Sequence, residues 1–302
     1  MSQHPVVQLL RSRLSRAIAL ASTLSMGTLL TAAFPTTALT SLELTDQDVL
    51  NQELQSEPIR VIINYDRNEE AWSNSFSYQI FYNDVLKVED TQETSYRGAI
   101  SLQDLDQDGT AEVITETYSG GAHCCTTHTV YSWQDNDFVK TDLGFRDGGG
   151  GTFQDLNGDN RLEFVSYNNA FLYTFSSYAG SFPPSQIFSL QNGAFVDTTR
   201  QYPQYLRGQA WQMYQAILRA ENSAGDDTTG EINGVLAGYV AQKILLGEYQ
   251  QGWDFMLARY DRQSDWGLDT VEGDRTVGQY SGFPAALRAL LIQQGYITPQ
   301  DR

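Results

Sequence analysis

Two copies of one Asp-rich loop set the strongest constraint on how this chain can fold. Asp104-Leu-Asp-Gln-Asp-Gly-Thr-Ala-Glu112-Val and Asp155-Leu-Asn-Gly-Asp-Asn-Arg-Leu-Glu163-Phe lie 51 residues apart, and each runs into an alternating apolar segment. Oxygen-bearing side chains recur at loop positions 1, 3, 5 and 9: Asp104, Asp106, Asp108 and Glu112, then Asp155, Asn157, Asp159 and Glu163. A tight turn can aim alternate side chains inward. Calcium takes six to eight oxygen ligands, so four such groups, a backbone carbonyl near Thr110 or Arg161 and water suffice for a shell. Gly109 and Asn160 are suited to the left-handed backbone that a sharp turn needs. A helix–loop–helix calcium site requires Glu at position 12 and a helix after it. Here Thr115 and Ser166 occupy that position inside strand-like runs.

Those runs extend from Pro58 to about Thr199. Arg60-Val-Ile-Ile-Asn, Ser77-Tyr-Gln-Ile-Phe-Tyr and Thr129-Val-Tyr-Ser-Trp alternate in polarity and are separated by Asn-Asp, Asp-Asn-Asp and Asn-Gly turn signals, the punctuation of antiparallel strands. After Pro203 the period becomes helical. Ala210, Trp211, Tyr214, Ile217 and Leu218 share a face, as do Val235, Leu236, Tyr239, Val240 and Ile244, and then Tyr249, Trp253, Met256, Leu257 and Tyr260. A further helix is expected near Pro284, carrying Leu287, Leu290 and Leu291. Residues 222–230 read as an exposed loop. The expected class is α+β: a β-rich domain over residues 39–204 and a helical region over 205–302.

The loop pattern resembles the repeats of the FG-GAP and VCBS families of β-propeller proteins, Asp-x-Asp/Asn-x-Asp-Gly-x-x-Asp, over roughly residues 95–200. Glu112 and Glu163 stand at position 9, and Asn160 replaces the usual Gly. The resemblance implies propeller-blade-like units with bound Ca2+ holding together carboxylates that otherwise repel. Two copies fall short of the four to eight blades of a closed propeller.

At the N-terminus, Arg11, Arg13 and Arg16 precede an apolar stretch from Ala17 to Phe34, and no acidic residue occurs before Glu43. That is the layout of a secretory signal peptide, residues 1–38, with Thr36 and Ala38 suited to the cleavage site. Ser22, Thr23, Ser25, Gly27, Thr28 and Thr31 interrupt the stretch, which argues against a permanent anchor. Export to the periplasm or the extracellular space is the expectation, with no stable membrane insertion after cleavage. The chain has 37 acidic against 19 basic residues, a net charge of −18. Losing the leader arginines makes it more acidic still, which disfavours nucleic acid and anionic membranes as partners.

Both cysteines and two of the three histidines fall in Ser119-Gly-Gly-Ala-His123-Cys124-Cys125-Thr-Thr-His128. On an extended strand His123 and Cys125 would share one face, and Cys124 and His128 the other. Three readings are open: a vicinal disulfide, two reduced buried thiols, or a soft-metal site for Zn or Cu. Such Gly-Gly-Ala-His-Cys-Cys strings resemble those of exported bacterial proteins with the same repeats, which implies no activity.

Other chemistry is weaker. Gly148 to Gly151 lack the Lys and Ser/Thr of a phosphate-binding loop. Glu221 with Asp226, or Glu248 with Asp254, are acidic pairs of the sort glycosidases use, though such pairs arise by chance in so acidic a chain. Ser119 and Ser281 do not sit in a nucleophile elbow. Tyr167, Phe171, Tyr173, Phe175, Tyr178 and Phe182 read as inward-facing strand residues or, if exposed, as a contact surface. The expected function is an exported, calcium-stabilised binding or interaction module for a protein or carbohydrate ligand, with no catalytic residues assigned. The alternative is a metal- or redox-active protein built on the His-Cys-Cys cluster.

Overall fold

The computed structural model describes residues 39–45, 47–68, 70–222, 231–272 and 274–301. The signal-peptide expectation for residues 1–38, and most of the loop expected at 222–230, lie outside the described residues. The fold is α+β, with antiparallel sheets followed by helices.

Three antiparallel meanders succeed one another. The first is β2 (Val49–Ser56), β3 (Ile59–Tyr65), β4 (Asn74–Tyr82) and β5 (Val85–Thr94). The second is β6 (Gly98–Gln103), β7 (Glu112–Tyr118), β8 (Thr126–Gln134) and β9 (Asp137–Arg146), with β1 (Ser41–Leu44) added on the β6 edge. The third is β10 (Thr152–Gln154), β11 (Glu163–Tyr167), β12 (Ser185–Gln191) and β13 (Ala194–Asp197). Alternate residues of β3, β4 and β6 are buried, as the two-residue period of a strand requires. Among the described residues the meanders do not close into a ring.

The first two sheets share a core in which Leu54, Ile63 and Phe76 meet Ile100, Val113 and Tyr131. A smaller cluster of Leu105, Ile114, Val130 and Leu190, with Leu143, Phe153 and Phe195 against it, joins the second sheet to the third. Where the first two sheets meet, the Tyr131 hydroxyl donates to Asp90 Oδ2 (2.6 Å), Lys140 Nζ lies 2.7 Å from the same oxygen, and the Tyr78 and Tyr131 hydroxyls are 2.8 Å apart. Burial pushes the Asp90 carboxyl up, but Lys140, Tyr131 and the Thr91 N–H outweigh it and bring it down to about 2. A carboxyl whose folded pKa is depressed stabilises the fold above its unfolded pKa of 3.8 and loses that contribution as pH falls towards 2. The Asp90→Asn variant is therefore expected to be less stable by about 2 kcal/mol at pH 7, the usual scale for a charged hydrogen bond. In urea melts the gap should shrink progressively below pH 4.

The helical region starts at α1 (Pro203–Asn222), where proline fits the first turn. It continues through α2 (Ile232–Leu245), α3 (Tyr249–Leu257) and α4 (Phe283–Gln293), with a hairpin of β14 (Asp269–Glu272) and β15 (Arg275–Gln279) between the last two helices. The periodicity reading, which started its strands at Pro58, did not include that hairpin, nor β1 and β2. Helix α2 is buried along its length from Ile232 to Ile244, as an apolar helix at the centre of a domain must be. Its buried amide Gln242 is satisfied: Oε1 accepts from the Ser185 N–H (2.9 Å) and Nε2 donates to the Leu206 carbonyl (3.1 Å). This ties α2 to both β12 and α1. The aromatic segment before β12 is not a strand. Asn168 caps a short 3-10 turn over Asn169–Phe171, and Phe171 and Phe175 enter the helical core, while Tyr173 is 47% exposed. The turn-forming Asn pair and Pro183-Pro184 override the apolar alternation.

Candidate functional site

The two Asp loops occupy equivalent places, one between β6 and β7 and the other between β10 and β11, and they are built by the same hydrogen bonds. Position 1 accepts from the N–H of position 6: Gly109 N to Asp104 Oδ2 at 3.1 Å, Asn160 N to Asp155 Oδ2 at 3.0 Å. Position 5 accepts from position 7: Thr110 N to Asp108 at 2.7 Å, Arg161 N to Asp159 at 2.9 Å. Position 9 is buried and reaches back to the N–H of position 2: Leu105 N to Glu112 Oε2 at 2.8 Å, Leu156 N to Glu163 Oε2 at 3.2 Å. Positions 4 and 6 are left-handed in both copies, Gln107 (φ 62°) with Gly109 (φ 89°) and Gly158 (φ 83°) with Asn160 (φ 66°). The loops also meet, since the Leu162 N–H donates to the Leu105 carbonyl at 2.9 Å.

Their electrostatics differ. In the second loop Asp155 Oδ1 accepts from the N–H groups of Asn157 (3.2 Å) and Gly158 (2.7 Å), and the Asn157 side-chain amide donates to Asp159 at 2.9 Å. Desolvation acts upward on the Asp155 carboxyl, yet the backbone N–H groups around it hold it below the ordinary carboxylate value. This loop satisfies itself. In the first loop Asp106 takes the place of Asn157 and has no amide to offer. Oxygens of Asp104, Asp106 and Asp108 lie within 4.8 Å of one another, and Asp104 Oδ1 is buried with no hydrogen-bond partner. Desolvation and the Asp108 carboxylate push Asp106 up. Glu112, 2% exposed, is pushed to about 8 by burial, against the pull of the Leu105 N–H and with the three aspartates adding to the rise. A group of carboxylates with an orphaned buried oxygen fits a hard cation with oxygen ligands. The contrast between the loops was legible in one letter, Asp106 against Asn157.

The His-Cys-Cys segment is not an extended strand. It is a surface loop ahead of β8, in which Cys124 and Cys125 are bonded to each other. The turn follows from Gly120 (φ 86°) and from the Ser119 hydroxyl accepting the Cys125 N–H at 2.6 Å. The histidines part company. His123 stacks on Tyr178 with ring centroids 4.1 Å apart, whereas His128 is buried on β8 with Nε2 3.3 Å from Glu116 Oε2. With the sulfurs bonded and the imidazoles apart, these four side chains do not form a soft-metal ligand set.

The remaining candidates have ordinary partners. Glu221 pairs with Arg259 at 3.2 Å, Glu248 with Lys243, and Asp254 accepts from Gln250 at 2.8 Å; Asp226 lies outside the described residues. The Gly148–Gly151 run packs under Tyr167 and Phe164 and leads into β10.

Fold and site together define an acidic α+β protein of successive β-meanders, with a pair of Asp loops between strands and a helical domain after them. Over 266 residues the chain is 36% identical to the probable thylakoid lumen protein sll0997 of Synechocystis sp., covering 83% of this chain and 77% of that one. The chain belongs to the sll0997 family, and residues 206–295 match the family model of the sll0997 C-terminal domain. The uncharacterized protein y4bJ of Sinorhizobium fredii is 31% identical over 236 residues, 74% of this chain but 36% of that longer protein. No solved structure matches the chain. Among the described residues no helix is long and apolar enough to cross a membrane.

Proposed function

We propose that this protein is an exported, calcium-stabilised binding or interaction module in which the first Asp loop is the principal ion site. The observation that carries the reading is the cluster of Asp104, Asp106 and Asp108, with its buried, unpartnered Asp104 oxygen above a buried Glu112. The four carboxylates would hold Ca2+, with the Thr110 carbonyl and water completing the shell. The FG-GAP/VCBS-like order of the ligands supports this assignment. Bound calcium offsets the mutual repulsion of the carboxylates and fixes the β6–β7 turn against the β10–β11 turn. The second loop, with Asn157 already bonded to Asp159, is a weaker site for Asp155, Asp159, Glu163 and the Arg161 carbonyl. Export is supported by the leader-like N-terminus and by the name of the Synechocystis relative, a probable thylakoid lumen protein. Outside the cytoplasm, even sites with dissociation constants of about 10⁻⁴ to 10⁻³ M are filled.

Calorimetric titration of metal-stripped mature protein tests this. One ion should bind first, and Asp106→Ala should abolish that event while Asn157→Ala leaves it in place. Absence of saturable binding at millimolar calcium would reduce both loops to acidic turns.

A further inference from the structure

A pocket of about 290 Å³, lined by neither the Asp loops nor the cysteines, opens where the third sheet meets the helical region. Tyr167 of β11 and Ser185 of β12 are directly paired across the sheet and share a face. Tyr178 comes from the segment between those strands. Tyr205 and Gln209 come from α1, where a spacing of four residues puts both on one side of the helix. The volume is at the lower end of the about 300 to 1,000 Å³ usual for small-molecule sites, so it suits one small ring.

No charged side chain is among the described residues that line this pocket, although the chain has 37 acidic and 19 basic residues. A charged ligand would meet no counter-charge there. What the pocket does offer is unspent neutral hydrogen bonding. Among the described residues neither the Tyr205 hydroxyl nor the Gln209 side-chain amide has a hydrogen-bond partner. Burial pushes the Tyr205 phenol up with no hydrogen bond to offset it, so that oxygen is shielded from bulk water as well as unpaired. Ser185 is 6% exposed, and its hydroxyl oxygen accepts from Gln242 Nε2 at 3.2 Å, which leaves its own proton to donate. Shielded polar groups are normally paired. A phenol and a primary amide each donate and accept, so the ligand that completes them does both.

The tyrosine rings supply apolar surface beside these groups. Tyr167 is held by its hydroxyl donating to the Asp147 carbonyl at 2.5 Å. His123 stacks on one face of Tyr178, with ring centroids 4.1 Å apart, and leaves the other face uncovered by that imidazole. A pyranose matches both features, with hydroxyls around its rim and C–H groups on its faces.

We propose that this pocket binds one neutral sugar ring, a hexopyranose. Its C–H face packs on the tyrosines, and its hydroxyls pair with Tyr205, Gln209 and Ser185. The site is independent of the calcium reading, and either can fail alone.

Saturation-transfer NMR with D-glucose, D-galactose and D-mannose, then calorimetry on the hexose that responds, tests this on the mature protein in saturating calcium. Saturable one-to-one binding of a hexose is expected. Loss of one or two neutral hydrogen bonds should weaken it roughly threefold in Tyr205→Phe and roughly tenfold in Gln209→Ala. Gln204→Ala, at an exposed position of the same helix, should leave it unchanged. Tyr205→Phe keeps the ring and reads the hydroxyl alone, and thermal melts identify any variant that fails to fold. Methyl glycosides separate two sources of the ring: binding equal to that of the parent hexose marks the terminal unit of a glycan, and weaker binding marks a free sugar. The proposal is overturned if none of the three hexoses saturates the protein at tens of millimolar. Binding of indole in their place, the mark of a merely apolar pocket, would also overturn it, as would equal weakening by Gln204→Ala.

Discussion

The Gly238→Val variant is expected to melt roughly 6 to 12 °C below the parent protein, the largest loss of any single substitution considered. Gly238 lies on the buried helix α2, where a Cβ would overlap the carbonyl oxygen of Phe182. Gly234, one turn earlier, meets Ser176 and the Gly180 carbonyl in the same way. The chain from Ser176 to Phe182 thus lies directly on a glycine stripe of α2. A backbone carbonyl cannot rotate aside as a side-chain end can, so the added atoms must separate the helix from the segment that brings Phe175 into the core. Overpacking of this sort costs about 3 kcal/mol or more, and about 2 to 4 °C per kcal/mol is usual at this chain length. Gly208→Ala on α1 is the control. A Cβ there meets nothing within 4 Å, so helix propensity alone should stabilise it by up to about 1 kcal/mol. Differential scanning calorimetry of the two variants reads both effects.

Calcium and pH are expected to act on stability in opposite directions through Glu112. In the metal-free protein its carboxyl is pushed to about 8 by burial and the nearby aspartates, from an ordinary value of 4.5. The folded state then holds a proton that the unfolded state releases, so stability falls as pH rises between those two values and levels off above 8. The slope for one such proton is at most about 1.4 kcal/mol per pH unit. Glu112→Gln keeps an acceptor for the Leu105 N–H and carries no proton to lose. Without metal at pH 8 this variant should be more stable than the parent. With calcium the order should reverse, because an ion present at 100 times its dissociation constant adds about 2.7 kcal/mol to a protein that binds it, and the amide is the poorer ligand. Urea melts from pH 5 to 9, with chelator and with calcium, measure both arms. A parent protein whose metal-free stability is flat over this range would contradict the burial of a protonated Glu112.

The sequence by itself determined the local structure. Alternation of apolar residues is a property of neighbours along the chain, so the strands from Pro58 onward and the helices after Pro203 were legible without any tertiary knowledge. The same holds for the paired loops, whose turns depend on Gly109 and Asn160 and on aspartates a few residues away. What tertiary structure decided are the features that depend on distant partners. The segment around Phe171 and Phe175 has strand-like polarity but packs into the helical core, because α2 supplies two glycines where it needs room. Cys124, Cys125, His123 and His128, all within six residues of the chain, end in three different environments once a glycine turn and the β8 register separate them. Of the tyrosine pocket, only Tyr167 and Tyr178 stood out in the chain, as members of an aromatic run. Tyr205 and Gln209 join them only because the start of α1 packs beside β11 and β12, a meeting of distant segments that no local pattern encodes.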